Sequence, residues 1–597
     1  MAERRRGATW RGLRLLYRSS PRAMLALVLV QAVDGVAPAL VVAASASLLD
    51  RAPRAAASPA ARSGVVAALV VVCICLVAAK VTRAFVSLLQ HLVAERFSAA
   101  VECLRLDAVT RLPGISHFDD PELADRLHAG GWASEAALIV NYGGFLLRWL
   151  SLGAASAAIA ARLGWWVPAL LVAATAPAAV LAWRHSGEEK RLRQARMDAW
   201  RHADYHLGLA VGLEPAREVR LFGMGDWLVD RQAARWADAV GLLFADLSRQ
   251  LRREFVAVAG TVLLGVVPFV IAYRRFEAGS LSVGDFSASI VSLGLVFGVL
   301  RWVALFPAEL RRATLFLPVL FDVVDLPERD PRLDVRGRRP PPAPTVGIRF
   351  DGVSFTYPGT DAPVLDGLDL WLPARSSLAL VGENGAGKST VVKLLCRLYD
   401  PDEGGITVDG TDIRELDLDA WRQCLAVVFQ DFVRLPVSVA DNVGVGCIPR
   451  LGDRTLLDAA AAESGAAEVV GRLAEGWDTV LAPDFGGVDL SGGEWQRVAL
   501  ARSAASRLGR GASVLVLDEP TAALDVRLEH DLFERFGRLG QGATTLLISH
   551  RFSTVRMADR VAMMEGGTVA EVGTHDELVA AGGRYAELYD LQARRFA

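Results

Sequence analysis

A glycine-rich loop at Val381–Thr390 restricts the folds open to this chain more than any other stretch. It reads VGENGAGKST and fits the pattern G-x-x-x-x-G-K-[ST]. Glycines let the backbone turn so that successive N–H groups point at phosphate oxygens, and a following helix adds its positive N-terminal end. The apolar run Ser377–Val381 predicts a buried strand before the loop, and Val391–Leu398 predicts a helix after it. We therefore expect an α/β P-loop fold, with Lys388 reaching the β- and γ-phosphates and Ser389 ligating Mg²⁺.

An acidic pair follows a second apolar strand downstream of the loop. Val514–Asp518 reads VLVLD and ends in a carboxylate that can hold Mg²⁺ directly or through water. Glu519 comes next and is the right group to polarise an attacking water as a general base. The pair is weak evidence alone, but its position after a phosphate loop predicts a hydrolytic site.

Three single residues have a functional interpretation and a plain one. Gln430 closes the strand Ala426–Phe429, where it can reach metal and water or be an exposed strand-end glutamine. His550 ends the strand Thr545–Ser549, where a neutral imidazole can bond a γ-phosphate or be structural. Tyr357 offers a flat ring for adenine stacking, although a lone aromatic is more often a core residue.

A second phosphate-binding pattern lies at Leu490–Gln496, which reads LSGGEWQ. Two glycines after a serine expose backbone N–H groups at a helix start. Because the first loop already serves one γ-phosphate, a second such pattern predicts a nucleotide held between two subunits.

Composition points to a membrane protein. Hydrophobic residues make up 52% of the 597 residues, and the net charge of −2 gives no sign of nucleic-acid binding. The spacing of the six cysteines matches no zinc or disulfide framework. The predicted membrane spans are Ala23–Leu48, Val65–Leu89, Ala136–Ala161, Trp165–Trp183, Val256–Tyr273 and Phe286–Phe306.

Two long polar connections, Val93–Glu135 and Arg184–Phe255, separate these spans. The second is rich in Arg and Lys, which predicts a cytoplasmic position for it and for both chain ends in a plasma-membrane protein. Within them, His117–Leu127 and Glu214–Gly223 are either ordinary helix connections or short helices that dock on a cytosolic domain.

Asp34 and Arg148 fall near the middle of their spans, where charge is costly and usually faces a cavity or a partner. They either line a polar cavity or form a buried structural pair. After the spans, 329–344 is rich in proline and arginine and reads as a linker. We expect a cytoplasmic segment at 1–22, a transmembrane domain at 23–328 and a nucleotide-binding domain at 345–597.

Together these motifs resemble the nucleotide-binding domain of ATP-binding cassette (ABC) proteins. GENGAGKS is similar to the Walker A loop, Asp518 and Glu519 to the Walker B aspartate and catalytic glutamate, and LSGGE to the family signature. Gln430 would be the Q-loop residue, Ala522–Asp525 the D-loop and His550 the switch histidine. The first half of the chain resembles the exporter class of half-transporters, which predicts a six-helix, all-α membrane domain.

This resemblance assigns catalytic roles to Glu519, His550 and Gln430, and metal ligation to Ser389, Gln430 and Asp518. The cofactors it implies are ATP and Mg²⁺. The partners it implies are a second copy of this chain or a homologous half-transporter, the bilayer and a transported small amphiphile, lipid or peptide. The simplest assembly is a homodimer with two competent sites, and a heterodimer stays open. The residues expected to bind nucleotide are Tyr357, Gly382, Glu383, Asn384, Gly385, Ala386, Gly387, Lys388, Ser389, Thr390, Ser491, Gly492, Gly493 and Glu494.

The function expected is ATP-driven export. Two alternatives are an importer of a metal–chelator complex built on the exporter fold, and a soluble ABC ATPase, against which the six apolar segments argue. An ATP-gated channel is a third.

Overall fold

The chain divides into two compact units that are not contiguous in sequence. One comprises Met1–Val109 with Ala129–Asp325, and the other comprises Thr110–His128 with Leu326–Ala597. The predicted domain limits in the linear sequence stay predictions. The computed structural model describes residues 2–53, 59–119, 132–174, 176, 180, 205–212, 215–314, 316–325, 337–519 and 540–596.

Long helices form the first unit, as its extended apolar runs predict. Among the described residues they include α1 Ala2–Ser19, α2 Pro21–Arg51, α3 Pro59–Thr110, α4 Trp132–Ala160, α5 Ala216–Leu221, α6 Gly225–Glu277, α7 Val283–Ala313 and α8 Phe316–Val324.

Three helical stretches in the described part of the chain are long and apolar enough to cross a membrane: Pro21–Arg51, Arg62–Thr110 and Ser134–Ala160. They coincide with the first three predicted spans. A shorter apolar stretch, Val283–Val299, lies in α7 with the sixth predicted span. The fifth predicted span lies within α6, and the fourth extends beyond the described residues. The count of six therefore stays a prediction.

Helices α2 and α4 pack closely around an ion pair whose carboxylate is buried and whose arginine is half-buried. Asp34 is only 1% exposed, and its Oδ2 lies 2.7 Å from Nε of Arg148. The hydroxyl of Thr82 donates to Oδ1 of the same carboxylate at 3.2 Å. A side chain at Gly35 would place its Cβ 2.6 Å from the carbonyl oxygen of Arg148, so glycine permits this approach.

The second unit contains two sheets. A four-stranded antiparallel sheet has the order β2-β1-β4-β5, and a six-stranded sheet has the order β10-β9-β3-β8-β7-β6. In the larger sheet β3, β6, β7, β8 and β9 run parallel, and β10 is antiparallel to β9. The strands are β1 Gly347–Phe355, β2 Leu365–Pro373, β3 Ser377–Gly382, β4 Glu403–Val408, β5 Thr411–Asp412, β6 Leu425–Val428, β7 Val514–Asp518, β8 Thr544–Ile548, β9 Arg560–Glu565 and β10 Thr568–Gly573.

Helices cover these sheets and bury the apolar strands. Their described members are α9 Lys388–Leu395, α10 Leu418–Gln423, α11 Val439–Gly444, α12 Arg454–Ser464, α13 Ala467–Arg472, α14 Gly492–Arg510, α15 Phe552–Val555, α16 His575–Ala581 and α17 Arg584–Phe596. Because β3, β6, β7 and β8 are parallel, their carboxyl ends meet at one edge, which is where ligands bind in open α/β sheets.

A stretch from the first half of the chain belongs to this second unit. The N–H of Ile115 donates to the carbonyl of Leu398 at 3.1 Å, and a 3₁₀ turn follows at Ser116–Phe118. The Tyr399 hydroxyl donates to Asp119 at 2.5 Å. The predicted docking segment His117–Leu127 thus begins at this contact, and its part from residue 120 lies outside the described residues.

Candidate nucleotide-binding and hydrolysis site

The phosphate loop follows β3 and ends where α9 begins at Lys388. Gly387 has φ +95°, and a Cβ there would lie 2.6 Å from Cδ2 of Leu365. Only glycine meets both conditions. The loop therefore delivers its backbone N–H groups to a helix N-terminus, the arrangement that binds phosphate.

The lysine of the loop is buried and only partly engaged. Lys388 is 6% exposed, and its Nζ donates to the carbonyls of Gly382 at 2.9 Å and Glu383 at 2.8 Å. Burial lowers the pKa of Lys388, while the carboxylates of Glu519 and Asp518 oppose this shift. An ammonium group has three donors, so one is left for an incoming phosphate oxygen.

Asp518 ends β7 beside the hydroxyl of Ser389, which donates to Oδ1 at 3.4 Å. Asp518 is 3% exposed, and burial raises its pKa to about 6, against the lowering effect of the Ser389 hydrogen bond. A carboxylate and a hydroxyl at one point are hard oxygen ligands of the kind that Mg²⁺ prefers. This donor set fits the predicted metal.

Glu519 is held from two sides. Gln430 Nε2 donates to its Oε2 at 2.9 Å, and His550 Nε2 lies 2.6 Å from its Oε1. Glu519 has φ +45°, an uncommon value for a residue other than glycine, and its N–H donates to the carbonyl of Ile548. The three predicted catalytic residues therefore meet at the strand ends.

Tyr357 is half-buried and linked to α9. Its hydroxyl lies 3.1 Å from Oγ1 of Thr390, and Lys393 donates to it at 3.1 Å. Its ring meets those of Phe355 and Tyr399 edge to face, with centroids 5.0 Å and 5.5 Å apart. Core packing and a position beside the phosphate loop thus occur together in this residue.

The signature-like residues form their own cluster at the start of α14. Ser491 is its N-cap in a capping box with Glu494. The carboxylate of Glu494 accepts from the Ser491 N–H at 2.8 Å and hydroxyl at 2.7 Å, and Arg472 lies 2.7 Å from it. Hydrogen bonds from Ser491 lower the pKa of Glu494. Gly492 and Gly493 thus open a helix whose first turn is well ordered by capping.

Six of the predicted site residues lie together at the carboxyl ends of the strands: Lys388, Ser389, Gln430, Asp518, Glu519 and His550. Of the other loop residues, Glu383 is exposed and pairs with Arg584 at 2.5 Å. Asn384 and Gly385 are also exposed, whereas Ala386 and Thr390 are buried. The D-loop stretch Ala522–Asp525 lies outside the described residues.

Sequence reasoning missed two arginines that connect segments of the α/β unit by hydrogen bonds. Arg502 on α14 donates to the carbonyl of Asn442 at 2.9 Å and to its side-chain oxygen at 3.1 Å, which connects α14 to α11. Arg422 on α10 donates to the carbonyl of Pro113 at 2.5 Å and to that of Arg397 at 2.7 Å. The local sequence shows only that each helix carries an arginine, which does not identify a partner.

Residues 365–522 match the family model described as ABC transporter. The ATP-dependent lipid A-core flippase of Nitrosococcus oceani is 32% identical over 439 residues, which cover 71% of this chain and 69% of the flippase. The flippase of Chromohalobacter salexigens is 36% identical over 337 residues, or 56% of this chain and 55% of that protein. The chain thus spans little more than half the length of the first curated relatives it matches.

Two further similarities extend the comparison. P-glycoprotein 14 of Caenorhabditis elegans is 40% identical over 246 residues, which cover 41% of this chain and 18% of that protein. The solved structure of a bacterial Atm1-family ABC exporter with ATP bound is 25% identical, with a TM-score of 0.69 over 97% of this chain and 98% of that one.

Proposed function

Because the chain belongs to the ABC transporter family, we propose that it is an exporter-type half-transporter that uses ATP to move an amphiphile, lipid or small peptide out of the cytoplasm. The observation that carries this proposal is the meeting of Lys388, Asp518 and Glu519 at the ends of parallel strands, in a chain with helices of membrane-spanning length.

The site residues divide the work of hydrolysis among them. The loop N–H groups and Lys388 bind the phosphates, and Tyr357 flanks the base. Ser389, Asp518 and Gln430 would hold Mg²⁺, whose charge offsets that of the phosphate oxygens. Glu519 would take a proton from the attacking water, and His550, 2.6 Å from that carboxylate, would hold it in place and bond the γ-phosphate.

The signature residues support a dimer. Ser491, Gly492 and Gly493 present a capped helix start, the second phosphate-binding device of the chain. A loop from one copy and a helix start from the other would enclose each nucleotide. The flippases are named for a lipid, lipid A-core, which supports a lipid or similar amphiphile as the cargo of this chain.

The contact of Ile115 and Asp119 with Leu398 and Tyr399 supports a route from nucleotide to membrane helices. It joins a stretch between α3 and α4 to the unit that binds ATP. We propose that dimer closure on ATP moves this stretch and opens the pathway outward, with both chain ends on the cytoplasmic side of the plasma membrane.

The test is a screen for amphiphiles and lipids that stimulate ATP hydrolysis by the protein in lipid nanodiscs. We expect at least one class to raise turnover severalfold in a dimeric, nucleotide-dependent way. A monomer under saturating ATP with undiminished hydrolysis would overturn the proposal. Uptake into inside-out rather than right-side-out vesicles would distinguish export from import of a metal–chelator complex.

A further inference from the structure

Helix α17 begins beside the phosphate loop. Its first residue, Arg584, donates through a terminal guanidinium nitrogen to Oε1 of Glu383 at 2.5 Å. Glu383 is the second residue of the loop Gly382–Ser389. The two residues are 201 positions apart, so the fold of the α/β unit brings them together. This contact links a helix outside the motifs to the loop that is expected to hold the ATP phosphates.

Glu383 also contacts the lysine of the phosphate loop. Its backbone carbonyl accepts from Nζ of Lys388 at 2.8 Å, while its carboxylate accepts from Arg584. The Glu383 side chain is 61% exposed, and an exposed glutamate normally samples several rotamers. The contact with Arg584 selects one of them and thereby restrains the residue whose carbonyl holds Lys388.

The start of α17 is itself held in place, as a positioning role requires. The carboxylate of Glu571 on β10 accepts from the backbone N–H of Arg584 at 2.6 Å and from that of Tyr585 at 3.3 Å. Tyr585 is fully buried, and its ring meets that of Phe552 edge to face with centroids 5.2 Å apart. A carboxylate at the helix N-terminus and a buried ring therefore fix Arg584 relative to β10 and α15.

Arg584 also compensates a group of carboxylates beside the loop. Besides Glu383, it donates to Oε2 of Glu587 at 2.8 Å, and its Nε lies 3.8 Å from Oε1 of Glu565. These three glutamates come from the loop, from α17 and from β9. Without the guanidinium group, uncompensated negative charge would lie beside the place where the phosphates bind, and like charges repel.

We propose that Arg584 is a positioning residue that acts through Glu383 to set the affinity of the phosphate loop for ATP. This role rests on the proposed function, since it has a consequence only where the loop binds ATP. Arg584 holds the Glu383 side chain in one conformation and offsets its charge, and it takes no part in the chemical step. Partly exposed ion pairs are weak, so its contribution to the dissociation constant is at most about fivefold.

The test uses the full chain in lipid nanodiscs. It measures equilibrium binding of a non-hydrolysable ATP analogue with Mg²⁺, and the steady-state kcat and KM for ATP. We expect Arg584→Gln to raise the dissociation constant and KM about three- to fivefold while kcat stays within twofold of wild type, because binding alone is weakened. Arg584→Lys keeps the charge but loses the planar fork, and should raise both constants only about twofold. High salt should shrink these differences.

A double-variant cycle tests whether Arg584 acts through Glu383. In the Glu383→Gln background, Arg584→Gln should change the dissociation constant less than about twofold, because the carboxylate that Arg584 holds is already gone. The control is Arg454→Gln, which removes another partly exposed arginine, paired with Asp478 at 2.6 Å. Arg454 lies on α12, which carries none of the candidate site residues, so this variant should keep wild-type affinity.

Three results would overturn the proposed role of Arg584. They are wild-type ATP affinity in Arg584→Gln, an equal effect of Arg584→Gln with and without the Glu383 carboxylate, and a loss confined to kcat. An affinity loss of the same size in Arg454→Gln would likewise count against it. A wild-type chain that neither binds the analogue nor hydrolyses ATP would instead overturn the proposed function, and the role of Arg584 with it.

Discussion

Two buried aspartates, one in each unit, differ in the groups that their carboxylates contact. Asp34 in the helical unit is 1% exposed and has Arg148 at 2.7 Å and the Thr82 hydroxyl at 3.2 Å. Asp518 in the α/β unit is 3% exposed, and the hydroxyl of Ser389 donates to its Oδ1 at 3.4 Å. The Asp34 carboxylate contacts a guanidinium group, whereas the Asp518 carboxylate contacts a hydroxyl.

This difference distinguishes a structural contact within the protein from a site whose charged groups can bind a ligand. A buried charge with an opposite charge in contact mainly joins the helices that supply the pair. A buried carboxylate with a raised pKa, next to a buried lysine with a lowered pKa, is electrostatically incomplete. We infer that the α/β unit stores unfavourable electrostatics that Mg²⁺ and phosphate relieve, whereas the helical unit does not at Asp34.

The largest effect is expected at the candidate hydrolysis site of the α/β unit. Glu519→Gln should lower ATP turnover about 10³-fold, because an amide cannot accept the proton of the attacking water. Nucleotide binding and dimerisation should persist, which equilibrium binding and light scattering would show. Glu403→Gln, an exposed strand residue, is the control. Turnover within a few-fold of wild type would remove Glu519 from its proposed role.

The next largest effect is expected at the ion pair of Asp34 and Arg148. Arg148→Met leaves a buried carboxylate without a counterion and should destabilise the protein by about 3–5 kcal/mol, whereas Asp34→Leu/Arg148→Met should recover most of this. Detergent unfolding of the single and double variants measures both, with the exposed Arg274→Met as control. A stable double variant that had lost cargo-stimulated hydrolysis would show that the pair contacts cargo.

The pH dependence of Asp518 gives a smaller effect. Its pKa of about 6 exceeds the ordinary 3.8, so the folded protein binds a proton between these values that the unfolded chain has lost. The stability contributed by Asp518 therefore falls as pH rises from about 4 to 6. Without nucleotide, Asp518→Asn should be more stable than wild type by about 2–3 kcal/mol at pH 7, and the gap should close towards pH 4. Thermal unfolding at several pH values measures this; a constant gap would contradict it.

The smallest effect is expected at the hydrogen bond between Tyr399 and Asp119. Burial and the Asp119 carboxylate raise the pKa of Tyr399, which keeps its hydroxyl a donor. Tyr399→Phe removes this hydrogen bond, worth about 1.5–3 kcal/mol to a charged acceptor, and should reduce cargo stimulation more than basal hydrolysis. Tyr589→Phe is the matched control. Equal loss of both activities would argue for a merely structural contact.

The convergence of the candidate site residues was largely predictable because these residues lie at the ends of recognisable strands. Buried strands precede Lys388, Gln430, Glu519 and His550, and parallel strands bring their carboxyl ends to one edge. The roles of Arg422 and Arg502 were not predictable, because their acceptors are backbone carbonyls that no side-chain pattern reveals. The three helices of spanning length were foreseen from apolar run length alone.

By itself, the sequence determined the phosphate loop, the strand-end carboxylates, the capped signature-like helix and the apolar helices, since each depends on neighbours within about 20 residues. Only the tertiary structure decided that Asp34 contacts Arg148 and that Gln430 and His550 contact the Glu519 carboxylate. It also decided that residues 110–119 belong to the α/β unit. Such contacts link residues tens to hundreds of positions apart. They are set by how helices and sheets pack, which local propensity does not encode.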